Sequence, residues 1–171
     1  YRKKENKFLK KKKIKIKYVK YKNSNFRNFS KRKICFFIRN KINYGCGLGH
    51  NPGYEFCIKN NFKYIARIDN DMFLPNNLIF KLASRMDKNK SIIALSPKIM
   101  FSDQPNLIWF RGATIGANLK FQRQCASYEP GHPDSKFFKG LIKTDSIVGC
   151  ASIMRAKNLK EVGLSDPDFF Y

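Results

Sequence analysis

The chain has 171 residues, with 35 Lys or Arg against 12 Asp or Glu, and its net charge is therefore +23. The length is sufficient for one domain with a sizeable core, and 43% hydrophobic residues with 16 Phe exclude a globally disordered chain. No apolar run approaches the about 18 residues of a membrane span, and the N-terminus does not resemble a signal peptide.

The positive charge is concentrated at the N-terminus. Residues 1–33 contain 16 Lys or Arg and one acid, a net charge of +15, and the rest of the chain adds +8. Such a segment could hold nucleic acid or anionic lipid. A general bias towards Lys, Asn, Ile and Phe, with a solvated or frayed segment, explains it better, and we prefer that explanation. We divide the chain into this basic segment, which could also be a degenerate first part of the fold, and a domain over 34–171.

The five cysteines are widely spaced, and none of them forms a CxxC pair. With only two His in the chain, a zinc site is not expected. Reduced thiols in a cytoplasmic protein are the default interpretation.

The first half of the chain contains three predicted strands. The first, over 14–21, alternates apolar and basic residues, and the second, over 33–40, has a continuous apolar centre. A glycine-rich loop over 43–53 and a short helix over 54–62 follow. The third strand, over 63–68, is predicted to be buried and ends directly before two aspartates.

The second half continues with a helix over 74–89, in which Pro75 suits the first turn. A strand over 91–100 and a strand–turn–strand element over 106–116 come next. Residues 117–143 are predicted to be irregular.

The last elements are a strand over 144–155 and a helix over 156–163 that ends at Gly163. Strands that alternate with helices at short intervals predict an α/β sandwich with a largely parallel sheet.

Asp69 and Asp71 are the strongest candidate site. On an extended backbone both carboxylates would project to the same side, at the carboxyl end of a strand, where open α/β sheets bind ligands. Mg²⁺ or Mn²⁺ accepts one or two carboxylates and completes its shell with water and substrate phosphates. The alternative is that Asp69 or Asn70 caps the turn into the next helix.

The glycine-rich segment is a weaker candidate. It lies between a strand and a helix, where a phosphate-binding loop would be placed, but it contains neither GxGxxG nor a Walker motif. An ordinary strand-to-helix turn explains it equally well.

Four stretches in order resemble the family 2 glycosyltransferases, in particular the rhamnosyltransferase-like branch that builds bacterial surface polysaccharides. They are INYGCGLGHNPG, YIARIDNDMFLPNNL, SPKIMFSDQPNLIWFRGATI and DSIVGCASIMRAKNLKEVGLSDPDFFY. The resemblance covers about residues 34–171. It implies a GT-A fold, Rossmann-like with a mostly parallel sheet, and transfer of a sugar from a nucleotide diphosphate to a glycan or lipid-linked acceptor, with inversion.

The resemblance also implies roles for individual residues. Asp71 would ligate Mg²⁺ or Mn²⁺, and Asp69 would assist through the metal or the donor sugar. The donor pocket would contain Asn43, Gly45, Gly49, Asn51, Gly53, Asp69 and Asn70. The acceptor side would contain Trp109, Gly112 and Gly149, although a single Trp could equally well fill the core.

The chain departs from the family pattern in two places. Lys22 stands where the family has an aspartate that holds the nucleotide base. The family's general base belongs to an E-D pair a few residues beyond a Phe-Phe pair, here Phe169 and Phe170. The sequence ends at Tyr171, before such an E-D pair. We therefore expect a fragment that holds the metal and diphosphate but is inactive as a transferase.

Two other classes remain open. A nucleotidyltransferase would share the fold type, but it should carry a glycine-rich basic signature after its first strand, which residues 1–40 lack. A basic nucleic-acid-binding protein would explain the charge, although we do not expect nucleic acid to be the partner. Peripheral contact with the inner face of an anionic membrane is a further use for residues 1–33.

Overall fold

The structure is a computed structural model, and it describes residues 15–19, 34–38, 40, 42–117, 123–127, 130–135 and 139–168. Contacts divide the chain into two compact units. The terminal unit comprises the described residues of Tyr1–Lys63 and Ala156–Tyr171, and the central unit comprises those of Tyr64–Arg155.

The terminal unit contains two strands and two helices. They are β1 (Lys15–Val19), β2 (Ile34–Ile38), α1 (Gly45–Lys59) and α3 (Ala156–Val162). β1 and β2 form a parallel ladder, and α1 packs against α3. Gly163 ends α3 with φ +102°, and its N–H donates to the Leu159 carbonyl at 3.0 Å, which confirms the predicted helix end.

The glycine-rich segment is helical, so the prediction of a loop over 43–53 is wrong. Asn43 Oδ1 accepts a hydrogen bond from the Gly45 N–H at 2.9 Å, and α1 then continues through Pro52. A glycine costs about 1 kcal/mol relative to alanine in a helix, which weakens a helix without forbidding it. Burial of Asn51, Pro52 and Tyr54 supplies the tertiary contacts that outweigh this propensity.

The central unit contains seven strands and one helix among its described residues. They are β3 (Tyr64–Ile68), α2 (Leu78–Lys88), β4 (Ala94–Leu95), β5 (Ile99–Met100), β6 (Ile108–Phe110), β7 (Ala113–Ala117), β8 (Arg123–Ser127) and β9 (Ala151–Arg155). They form one three-stranded sheet, β3-β9-β4, and two pairs, β5-β6 and β7-β8. The described chain is therefore mixed α/β, with small sheets.

The predicted mostly parallel sheet is not what the described strands form. Only β1 and β2 make a parallel ladder there, and every other ladder is antiparallel. β3 and β4 do run in the same direction, as a strand–helix–strand unit predicts, because each is antiparallel to β9. β9 comes from more than 50 residues further along the chain and lies between them, so no parallel ladder can form.

Several element boundaries differ from the prediction. The strand over 91–100 is broken into β4 and β5, because Pro97 between them has no N–H to donate to a ladder. Pro75 lies before α2, whose N-cap is Asn77. Only the last part of 144–155 is a strand, and β8 lies in the segment that was predicted to be irregular.

The core of the central unit is a small cluster. Ile99, Phe110, Ala113 and Ala151 are buried together, and Met72, Val148 and Cys150 pack around them. β3 is buried on one face only: Ile65 is buried, whereas Ala66 and Ile68 are exposed, so the prediction of a fully buried strand is wrong.

Two further observations concern the described residues as a whole. None of the helices in the described ranges has the length and apolar character that a membrane crossing requires. Of the cysteines whose side chains are described, Cys46, Cys57 and Cys150 are all free thiols.

Candidate functional site

Asp69 and Asp71 lie on a tight turn at the end of β3. The Asp69 N–H donates to the Cys150 carbonyl at 2.8 Å, which extends the β3–β9 ladder by one residue. The Met72 N–H then reaches the Asp69 carbonyl at 3.4 Å and closes the turn. The extended backbone that was predicted for the acid pair is therefore wrong, because Asn70 and Asp71 have already left the strand.

Both carboxylates nevertheless line one groove. It is an open cavity of about 730 Å³ in the central unit, a volume within the range of small-molecule sites. Its lining residues are Asp69, Asp71, Met72, Phe73, Leu74, Pro75, Leu78, Pro97, Lys98, Ile99, Met100, Phe101, Ser102, Asp103, Pro105, Trp109, Cys150 and Ala151. Most of this surface is apolar, and the two aspartates supply a concentrated negative charge.

The capping alternative for the acid pair is wrong. α2 begins at Leu78, seven residues after Asp71, and its N-cap position is Asn77, which makes no side-chain capping hydrogen bond. Asp69 and Asn70 thus have no capping role at α2, and Asp71 is exposed.

Arg67 is a site residue that the sequence interpretation missed. Its Nε lies 3.6 Å from Asp69 Oδ1, in an ion pair in which the arginine side chain is 23% and the aspartate side chain 35% exposed. Residues two apart on a strand share a face, and Arg67 and Asp69 are two apart. That spacing was visible in the sequence and could have identified the pair.

Cys150 lies opposite Asp69 across the ladder, since Ile68 pairs with Ala151. Burial raises the pKa of the Cys150 thiol, and the negative charges of Asp69 and Asp71 raise it further. A thiol whose pKa is raised in this way stays protonated at neutral pH and packs as a small apolar group.

The donor set of the groove fits a hard dication. Among the described residues there is no group of three or more His, Cys, Asp or Glu that could hold a metal. Two carboxylates are what Mg²⁺ and Mn²⁺ accept from a protein when substrate phosphates and water complete the shell. Asp69 and Asp71 are the residues that would hold such an ion.

Lys98 also lines the groove, but its ammonium group is paired with Asp134. The hydrogen bond from Lys98 is the main reason why the pKa of Asp134 lies below its ordinary value. The lysine charge is therefore partly neutralised at one wall of the groove.

The predicted donor residues at Asn43–Gly53 belong to the terminal unit. Asn51 is buried and makes two hydrogen bonds to the backbone of Ser165: its Nδ2 donates to the carbonyl at 2.8 Å, and its Oδ1 accepts from the N–H at 3.0 Å. The amide of Asn51 thus fixes the segment after α3. A Cβ added at Gly49 or Gly53 would meet no atom within 4 Å, so close packing does not require a glycine at either position.

The three predicted acceptor-side residues have different surroundings. Trp109 is 43% exposed and lines the groove, whereas its neighbours Ile108 and Phe110 are buried, so the tryptophan does not fill the core. Gly112 has φ +141°, which favours glycine, and lines a smaller cavity of about 100 Å³. Gly149 lies against the side chain of Arg67.

Comparison with known proteins adds no assignment. No protein-family model matches the chain, and no curated protein is similar enough to it to count as a match.

Proposed function

We propose that the groove at Asp69 and Asp71 binds a divalent cation together with the diphosphate of a nucleotide-sugar, as part of a family 2 glycosyltransferase of the GT-A fold. The observation that supports it best is that both aspartates line one open groove of about 730 Å³ together with an exposed tryptophan. The same direction of β3 and β4 on either side of α2 agrees with a nucleotide-binding α/β domain.

The two aspartates have different parts in this proposal. Asp71 is exposed on the turn and can reach an ion in the groove, so it is the direct ligand. Asp69 is held by its backbone hydrogen bond and by Arg67, so its carboxylate is less mobile and supports the ion or the donor sugar. The bound cation would offset the negative charge that grows on the diphosphate as it leaves.

The apolar wall of the groove suits the acceptor. Trp109 exposes an indole ring, and Phe73 is 88% exposed beside the acid turn. Aromatic faces of this kind give a sugar ring or a lipid-linked carrier an apolar surface next to the charged end of the groove. The proposed acceptor is a glycan or a lipid-linked sugar in surface polysaccharide synthesis, as the resemblance to the family implies.

The test is a calorimetric titration of UDP and dTDP, with and without Mn²⁺, into the wild type and Asp71→Ala. Mn²⁺ should strengthen nucleotide binding by the wild type, and the substitution should weaken it at least about tenfold, because loss of even an outer-shell partner costs a metal site that much. Asp71 is exposed, so its substitution should leave the thermal unfolding temperature unchanged.

Asp103→Ala is the matched control, because Asp103 carries the same charge and lines the same groove outside the acid turn. It should bind Mn²⁺ and nucleotide like the wild type. Equal binding by the wild type and Asp71→Ala would contradict the proposal.

A further inference from the structure

Arg67 makes fewer hydrogen bonds than a partly buried guanidinium normally makes. Its Nε is buried and, among the described residues, has no hydrogen-bond partner. The nearest carboxylate oxygen, Asp69 Oδ1, is 3.6 Å away, which is an ion-pair distance beyond hydrogen-bond range. A buried donor without a partner costs stability, which offsets part of what the ion pair with Asp69 contributes.

Gly149 leaves the space that this guanidinium occupies. A Cβ built on Gly149 would lie 2.9 Å from Arg67 Nη1, 3.0 Å from Cζ and 3.1 Å from Nη2. Gly149 is not among the glycines with positive φ, so its backbone would accept alanine. The space beside Gly149 is therefore needed for the position of the Arg67 side chain and not for the backbone.

The position of Arg67 places a positive charge behind the acid turn. Asp69 and Asp71 repel each other when the groove holds no cation, and the Arg67 guanidinium, whose Nε is 3.6 Å from Asp69 Oδ1, attracts the Asp69 carboxylate. The same charge repels a divalent cation that approaches the two carboxylates. A diphosphate that arrives with the cation brings enough negative charge to offset that repulsion.

We infer that Arg67 places a positive charge beside the Asp69 carboxylate and thereby weakens the binding of a divalent cation that arrives without diphosphate. This inference rests on the proposed function, because it assumes a cation at Asp69 and Asp71. The site would then fill with the cation–diphosphate complex and not with the free cation.

The test measures the binding of Mn²⁺ alone by the wild type, Arg67→Met and Arg67→Lys. Arg67→Met should bind Mn²⁺ about tenfold more tightly, because the Coulomb repulsion between the guanidinium and the cation is removed. Arg67→Lys keeps the charge and should stay within about threefold of the wild type. A purely structural role would weaken Mn²⁺ binding in Arg67→Met, and an unchanged or weaker affinity would overturn the inference.

Gly149→Ala tests the same contact while Arg67 is kept. The added methyl group displaces the guanidinium, so Mn²⁺ affinity should change in the same direction as in Arg67→Met. In the Arg67→Met background the alanine should have no further effect, since the contacting guanidinium atoms are gone. An equal effect of the alanine in both backgrounds would overturn the inference. If Arg67→Met proves unstable, Gly149→Ala in the wild-type background still tests it, and an unchanged or weaker Mn²⁺ affinity of that variant would overturn it.

Asp71→Ala in the same titration separates the two proposals. If it binds Mn²⁺ like the wild type, the cation site is wrong, and both proposals fall. If it loses affinity while Arg67→Met and Gly149→Ala do not gain any, the cation site stands and only the role of Arg67 is wrong.

Discussion

At the scale of one residue, the pKa of the Cys150 thiol depends on the negative charge of the acid turn, Asp69 and Asp71. Directly opposed residues in an antiparallel pair have Cβ atoms about 4.5–5.5 Å apart, and Cys150 is opposite Asp69. Burial and then the Asp69 charge raise the pKa of the thiol. In metal-free buffer, Asp69→Asn should lower the pKa of the Cys150 thiol, because the thiolate no longer faces a carboxylate. A larger fraction of the thiol is then ionised at pH 8, so Cys150 should be alkylated faster. Peptide mass spectrometry after iodoacetamide treatment measures the rate against pH.

Cys57 is the internal control for this experiment, because only burial raises the pKa of its thiol. Its alkylation rate should be the same in the wild type and in Asp69→Asn. If the Cys150 rate also stays the same at every pH, Asp69 does not lie close enough to act on the thiol.

At the scale of the element, Arg155 ties β9 to the end of α2. Its Nη2 donates to the Met86 carbonyl at 2.6 Å and to the Asn89 carbonyl at 3.1 Å, and its Nε donates to the Ile92 carbonyl at 2.8 Å. Its guanidinium also lies over the Tyr64 ring, 5.5 Å from the centroid. A positive charge that binds the last carbonyls of a helix offsets both their missing hydrogen bonds and the helix dipole.

Arg155→Met should therefore lower the free energy of unfolding by about 2–3 kcal/mol, since several charge-assisted hydrogen bonds are removed together. Arg155→Lys should lose about half of that, because one ammonium group cannot reach all of these carbonyls. Urea denaturation measures both values. Arg85→Met removes an exposed arginine from the same helix and should change stability by at most about 0.5 kcal/mol. Equal losses in Arg155→Met and Arg85→Met would contradict this role.

The sequence predicted the elements better than their pairing. The local patterns of apolar, polar, proline and glycine residues identified β1, β2, β3, α2 and α3, because those signals depend only on neighbouring residues. The insertion of β9 between β3 and β4 is a long-range contact that no local pattern encodes. Residues 45–53 of the helix at Gly45–Lys59 were missed for the opposite reason: local propensity argued against a helix that tertiary contacts support, and only its last part lies in the helix predicted over 54–62.

The residues of the candidate site could likewise be predicted from the sequence, whereas their packing could not. The composition and the strand end identified Asp69 and Asp71, and the structure places both in one groove. The turn that carries Asp71, the exposure of Trp109 and the contact between Arg67 and Gly149 depend on how neighbouring strands pack. A sequence can therefore indicate which residues could bind a cation, and even that Arg67 shares a strand face with Asp69, but not how these side chains pack.

At the scale of the whole molecule, the net charge of +23 raises the question of nucleic acid. Residues 1–13 contain eight Lys or Arg and one acid, and they precede β1, whose ladder with β2 begins at Lys15. Removing residues 1–13 thus lowers the net charge by seven and keeps the ladder, whereas removing all of 1–33 would delete a strand of the terminal unit.

We expect the full chain to bind duplex DNA weakly and with a steep dependence on salt, because Lys and Arg displace counterions from the phosphates. Without residues 1–13 the affinity for DNA should fall, and the slope of log K against log salt should shrink by roughly 0.9 for each phosphate that the shortened chain no longer neutralises.

Binding of UDP with Mn²⁺ should stay the same, because the proposed site lies in the central unit. Fluorescence anisotropy at several salt concentrations, with calorimetry as the parallel measurement, checks both. If DNA binding is unchanged after the deletion, the anion-binding surface lies in the rest of the chain. The interpretation as a basic nucleic-acid-binding protein would then be favoured over the interpretation that the charge reflects composition alone.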